Sequence, residues 1–156
     1  MDSICQQLDQ LTVEYLDEFG HLLACKQLID DTVKQGYFNL SRARIIMGVN
    51  NVSRLQYSER EPMIASTRVS IASPSFDMEK HVDKEHVDDA LKWFGLLSPN
   101  VLKQSQKSFQ QSVDLSLEAC QRQEKILQLK TKIENLMKEK QAFLTKENLD
   151  GNKIEE

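Results

Sequence analysis

His81, Asp83, Glu85 and His86 form the one group of side chains in this 156-residue chain whose chemistry would suit a divalent metal ion. Imidazole nitrogens and carboxylate oxygens are the usual ligands of catalytic zinc, which activates a water for hydrolysis. The spacing argues against such a site. Ligand pairs carried on a helix sit three or four residues apart, whereas the two histidines are five apart and would point to different faces. Other chemistries have less to work with. There is no glycine-rich phosphate loop and no GxSxG elbow, and the chain holds only five glycines. Cys5, Cys25 and Cys120 are odd in number and lack CxxC spacing, so they read as reduced, buried thiols of a cytosolic chain. His21 is expected at the surface. The residues therefore predict no catalytic site, no metal and no cofactor.

The elements that would carry these residues are mostly helical. Apolar residues make up 40% and charged residues 28%, a mix that suits an elongated structure with a narrow buried seam. The net charge of −4 gives no reason to expect nucleic-acid binding. The polar, acidic start MDSICQQLDQ is unlike a secretory signal, and the apolar runs are too short to span a bilayer. A partner is then needed to hold the chain at any membrane.

In the first segment Ile4, Leu8, Leu11, Tyr15, Phe19, Leu22, Cys25, Ile29 and Val33 follow steps of three and four, the period of one helix face. Gly36 interrupts that pattern at a cost of about 1 kcal/mol against Ala. Gly48, with Asn50 and Asn51, predicts the stop, and Arg42 and Arg44 favour the helix C-terminus. A second long helix is expected to open at Ser98 as N-cap with Pro99 at the first helical position, and Leu97 and Leu102 as a hydrophobic staple. Leu102, Phe109, Val113 and Cys120 carry its early face; Ile126, Leu129, Ile133, Leu136 and Phe143 carry a heptad-like later one.

Between the helices, Val52–Tyr57 and Met63–Ile71 read as two short strands, and 76–86 as a mobile linker. Val87, Leu91 and Phe94 suggest a short helix ended by Gly95. The expected organisation is a first long helix over 1–48, a short β-like insertion over 49–75, and a mobile linker and short helix with the WFG motif over 76–97. A second coiled-coil helix follows over 98–147 and a disordered tail over 148–156. The fold class is mainly α: a long antiparallel coiled-coil hairpin with a small β-hairpin and short-helix insertion at its turn end. Placing Leu40 opposite Leu102 puts Cys25 near residue 117, within about one turn of Cys120, and leaves residues beyond about 139 overhanging.

Three stretches concentrate the aromatic residues: Gly36–Gly48, Leu55–Tyr57 and Lys92–Pro99. One reading makes them a small core capping the turn end, since apolar residues most often serve packing. The other keeps part of them exposed as a binding surface, because Trp, Tyr and Arg dominate interface energetics. Both can hold, as only one face of each element can be buried. The candidate partner-binding residues are Tyr37, Leu40, Arg44, Met47, Leu55, Tyr57, Trp93, Phe94 and Leu97, with Arg44, Tyr57 and Trp93 as the specific contacts.

The run GYFNLSRARIIMG, then LQY, then KWFGLLSPNVLKQSQKSF, resembles the eukaryotic coiled-coil domain-containing protein 115 family, which includes the yeast peripheral assembly factor of the vacuolar ATPase. The resemblance covers roughly residues 5–70 and 90–140; the stretch between Ile71 and Ala90 departs, being shorter than in animal members and different in composition. It implies a protein on the cytosolic face of the endoplasmic reticulum, with early secretory vesicles and endolysosomes as further locations. It implies pairing with a small integral membrane protein similar to transmembrane protein 199, and binding to membrane-sector subunits of the vacuolar-type ATPase while that sector assembles, without direct membrane insertion. The competing reading from the residues alone is a structural coiled-coil subunit of a vesicle-tethering or cytoskeletal complex. A small metal-dependent enzyme built on the histidine cluster is a third.

Overall fold

The computed structural model describes residues 2–56, 67–72, 77–82, 90–95 and 97–151. Two long helices pack against each other as a helical hairpin: α1 over Asp2–Met47 and α2 over Asn100–Gly151. At 1.5 Å per residue they run about 69 and 78 Å. The chain divides into two compact units. A turn unit comprises Cys25–Gln121, and a terminal unit comprises Met1–Ala24 with Arg122–Glu156.

The least exposed residues of α1 step alternately by four and three. They are Ile4, Leu8, Leu11, Tyr15, Glu18 and Leu22 in the terminal unit, then Cys25, Ile29, Thr32, Gly36, Asn39 and Ala43 in the turn unit. This is a 3.5-residue repeat, the coiled-coil period, rather than the 3.6 of a freestanding amphipathic helix. Two expected seam residues therefore give way to neighbours. Phe19 is exposed and Glu18 takes its place, while Thr32 is buried more deeply than Val33. On α2 the same slip occurs at Cys120, which is exposed while Ala119 is buried. The thiols thus divide, with Cys25 buried, Cys5 half-buried and Cys120 exposed, against the expectation of three buried ones.

Small and polar side chains let the helices of the turn unit approach closely. Ser105, 2% exposed, donates a 2.8 Å hydrogen bond to the Gly36 carbonyl. A Cβ on Gly36 would stand 2.9 Å from Cε1 of Phe109, so the ring occupies the space that any other residue would need. Lower in the same unit, the Cys25 thiol donates to the Leu115 carbonyl at 3.3 Å, two residues from the expected position 117.

The terminal unit buries Leu8 and Leu22 of α1, and Ile126 and Leu129 of α2. Glu18 sits in its seam and accepts hydrogen bonds from Lys125 at 2.8 Å and Arg122 at 3.1 Å. Residues 141–145 of α2 are all exposed, Phe143 among them, so it leaves the apolar face assigned to it.

The insertion differs from expectation. Residues 52–56 form no strand; Arg54–Gln56 is a single 3-10 turn, fixed by the Ser53 hydroxyl, which donates to Asn50 O and accepts from Leu55 N. The antiparallel pair is instead β1, Thr67–Ala72, with β2, Asp77–Val82, in register from Thr67 opposite Val82 to Ala72 opposite Asp77. β2 lies inside the segment read as a mobile linker. Its charged letters, DMEKHV, are depleted in strands on average, but backbone pairing with β1 supplies the ladder that propensity does not. α2 also continues through Gly151, so 148–151 are helical rather than tail.

The start of α2 is shifted by one residue. The Pro99 carbonyl accepts from Leu102 N and Lys103 N, which places Pro99 itself at the N-cap. Ser98 does not cap the helix; its hydroxyl donates back to the carbonyls of Leu91 and Gly95. No staple forms, because Leu97 is 94% exposed while Leu102 is 3% exposed.

Candidate protein-binding site

The turn end of the turn unit is built around Ala43, Val52 and Leu102, all buried, with Leu40, Met47, Leu91 and Phe94 packed against them. Three local devices bring these residues together. Gly48, with φ at +92°, ends α1 in the left-handed region that a residue with a Cβ avoids. Asn51 then closes the turn: its side-chain amide donates to the Met47 carbonyl at 2.6 Å and its backbone N–H to Gly48 O at 3.1 Å. The 3-10 helix Ala90–Phe94 aligns residues three apart, so Leu91 and Phe94 share the face turned to the cluster. Gly95, φ at +110°, ends it.

This geometry sorts the candidate residues into two groups. Leu40, Met47 and Phe94 belong to packing. Tyr37, Arg44, Leu55 and Leu97 are exposed, Leu55 at 81%. Trp93 is half-buried in the 3-10 helix, and Tyr57 lies outside the described residues. Tyr37 is oriented by Phe109, whose ring it meets edge-on at 5.1 Å and 80°. A cavity of about 330 Å³ opens beside the cluster, lined chiefly by Leu40, Leu91, Phe94, Leu102, Phe109 and Val113.

Sequence reasoning passed over several exposed apolar side chains here. Phe38, Ile45, Ile46 and Val49 are 58–82% exposed. The signal was the run IIMGV, which is apolar on every face of a helix end and so cannot all be buried. Arg42 lies over the Phe38 ring, its guanidinium carbon 5.8 Å from the ring centre.

Charge in the terminal unit is concentrated at Glu18. The Lys125 ammonium, hydrogen-bonded to it, and then Arg122 hold its carboxyl below the ordinary glutamate range despite the opposing effect of burial. Lys125 also reaches Glu14 at 3.1 Å, and the Glu18 and Glu14 hydrogen bonds raise its own pKa.

Of the histidine cluster, only His81 is described; it stands in β2 opposite Arg68, and residues 83, 85 and 86 lie outside the described residues. Among the described residues no group of three His, Cys, Asp or Glu side chains could hold a metal ion. None of the described helices is long and apolar enough to cross a membrane. The candidate surface carries exposed apolar and cationic side chains, Tyr37, Arg44, Leu55 and Leu97 among them, on a packed support.

No family model matches the chain. Among curated proteins it is similar to vacuolar ATPase assembly protein VMA22 of Danio rerio, 24% identical across 92% of this chain and 95% of that one. The protein of the same name in Bos taurus is 27% identical, and that in Homo sapiens 25%, each across 77% of this chain and 83% of the relative. Over most of its length, this chain is homologous to the vertebrate vacuolar ATPase assembly proteins VMA22.

Proposed function

We propose that the chain is an assembly factor for the membrane sector of the vacuolar-type proton-pumping ATPase, acting by protein binding rather than catalysis. The observation that carries this reading is the similarity to VMA22 proteins along 92% of the chain. The hairpin agrees with it. Its turn end supports exposed apolar side chains on a small core, and such a surface is best suited to a transient partner. The site of action is the cytosolic face of the endoplasmic reticulum, where a small integral membrane protein resembling transmembrane protein 199 anchors the hairpin. Arg44, Tyr57 and Trp93 make the specific contact, and Tyr37, Leu55 and Leu97 extend it.

The experiment is affinity purification from detergent-solubilised membranes, with co-purifying proteins identified by mass spectrometry. Membrane-sector subunits and one small membrane protein, without the catalytic sector, are expected. Tether or cytoskeletal subunits with no pump component would overturn the reading in favour of a structural coiled-coil subunit.

A further inference from the structure

Residues 32–56 and 90–113, the two sides of the turn end, contain seven Lys or Arg and no Asp or Glu. One of the seven, Lys34, pairs with Asp31 at the edge of the stretch, 3.8 Å away. Arg42, Arg44, Arg54, Lys92, Lys103 and Lys107 are all exposed, and among the described residues no carboxylate pairs with any of them. The insertion between these stretches has the opposite balance, with eight carboxylates against four basic residues over 57–89, so the cationic surplus belongs to the hairpin itself. The same end carries Ile45, Val49, Leu55 and Leu97 at 82, 61, 81 and 94% exposure. They come from three places in the chain: the end of α1 and the glycine turn after it, the 3-10 turn, and the approach to α2.

We propose that the turn end of the hairpin docks directly on an anionic lipid surface, with Arg44, Arg54 and their basic neighbours against the headgroups and Ile45 and Leu97 entering the interface. Charge complementarity and the manner of exposure together favour lipid over an acidic protein. Ile45, Leu55 and Leu97 are highly exposed beside cations that no carboxylate among the described residues pairs with, and a headgroup layer accepts both without shape matching. The contact is peripheral, because no described helix can cross the bilayer. The inference goes beyond the assembly reading and shares Arg44 and Leu97 with it, so the lipid surface and the protein partner would hold these side chains at different times.

The test is flotation of the full chain with vesicles of phosphatidylcholine alone, or with about one-third phosphatidylserine. Binding to the anionic vesicles only, weakened by added salt, is expected. Neutralising Arg44→Gln or Arg54→Gln should lower the partition constant roughly fivefold each. Ile45→Ser and Leu97→Ser should weaken it without changing helicity by circular dichroism, since both side chains are exposed. Equal binding to both vesicle types, binding to neither, or anionic binding indifferent to all four variants would overturn the proposal. So would capture of a polyglutamate peptide, but of no vesicle, by the same arginines. No pump subunit is present in this assay, so its failure leaves the assembly reading standing, and the pull-down can fail without touching it.

Discussion

The Ser105 hydroxyl donates a 2.8 Å hydrogen bond to the carbonyl of Gly36, joining α2 to α1 across 69 positions of the chain. A carbonyl has two lone pairs, so Gly36 O can serve its own helix and Ser105 together. The contact is possible because neither residue has bulk. It fixes the register of the turn unit at one point, and the Phe109 ring lying over Gly36 fixes it at the next.

Replacing Gly36 by Ala sets two effects against each other. Alanine gains about 1 kcal/mol of helix propensity. Its Cβ, 2.9 Å from the Phe109 ring, takes that gain back or exceeds it. We expect Gly36→Ala to be neutral or destabilising in the native chain, and stabilising by about 1 kcal/mol in a Phe109→Ala background. Urea unfolding of the four members of the cycle measures the coupling.

Ser105 tolerates neither loss nor growth. Ser105→Ala removes one hydrogen bond and should cost about 1 kcal/mol. Ser105→Leu overfills a site that is 2% exposed and should cost about 1–3 kcal/mol. The order, leucine worse than alanine, separates close packing from simple burial, which would favour leucine.

Gly48→Ala places a Cβ in the left-handed region, where L-residues pay about 1–2 kcal/mol. A destabilisation of that size is expected by thermal unfolding. Asn51→Ala, which removes the amide bond to Met47 O, should lose about 1 kcal/mol.

Acid should weaken the terminal unit through Glu18. Its folded pKa is depressed, so the stability it contributes is present above the unfolded glutamate value of about 4.3 and is lost as pH falls through the folded value. Glu18→Gln should be less stable than the native chain at neutral pH and flatten the acid side of the stability profile. Circular dichroism melts from pH 7 downwards would reveal it; parallel profiles for the two proteins would refute the linkage.

Leu40→Ala and Leu97→Ser separate the two groups of turn-end residues. Leu40 packs against the buried cluster, and its truncation should lower stability by about 2–5 kcal/mol, less in proportion to its partial exposure. Leu97, at 94% exposure, should leave stability within about 0.5 kcal/mol and reduce partner capture. Equal capture by Leu97→Ser and Arg44→Glu, at matched folded fraction, would remove both from the binding surface.

The parts of this fold legible in the sequence were those where apolar letters carry the period. Leu8, Leu22, Ile126 and Leu129 stood on the predicted faces and are buried. Gly48 with Asn51 gave the helix stop. Where the seam is small or polar, the letters misled. Reading for hydrophobicity chose Phe19 over Glu18, Val33 over Thr32 and Cys120 over Ala119, each time one residue from the less exposed position. Nothing in Gly36 alone shows that an aromatic ring will fill the space above it. The second expected strand, 63–71, holds over the described residues of β1, but its partner was misplaced to 52–57, because pairing is a property of two segments: β2 has a strand's partner without a strand's composition. Of the candidate surface, the sequence located the end of the hairpin and its aromatic residues. Which of them face outward was decided by the Ala43–Val52–Leu102 cluster, a three-way contact among distant positions.

The small residues of the turn-unit seam have a calorimetric consequence. The heat capacity of unfolding rises with exposed apolar area and falls with exposed polar area. Thr32, Gly36, Asn39, Ala43, Ser105, Ser112 and Ala119 bring little of the first and some of the second. Unfolding this unit should therefore carry a heat-capacity increment below the usual ~12–15 cal/mol/K per residue, and its stability curve should be shallow. Such a hairpin should neither gain much on cooling nor fail abruptly on warming.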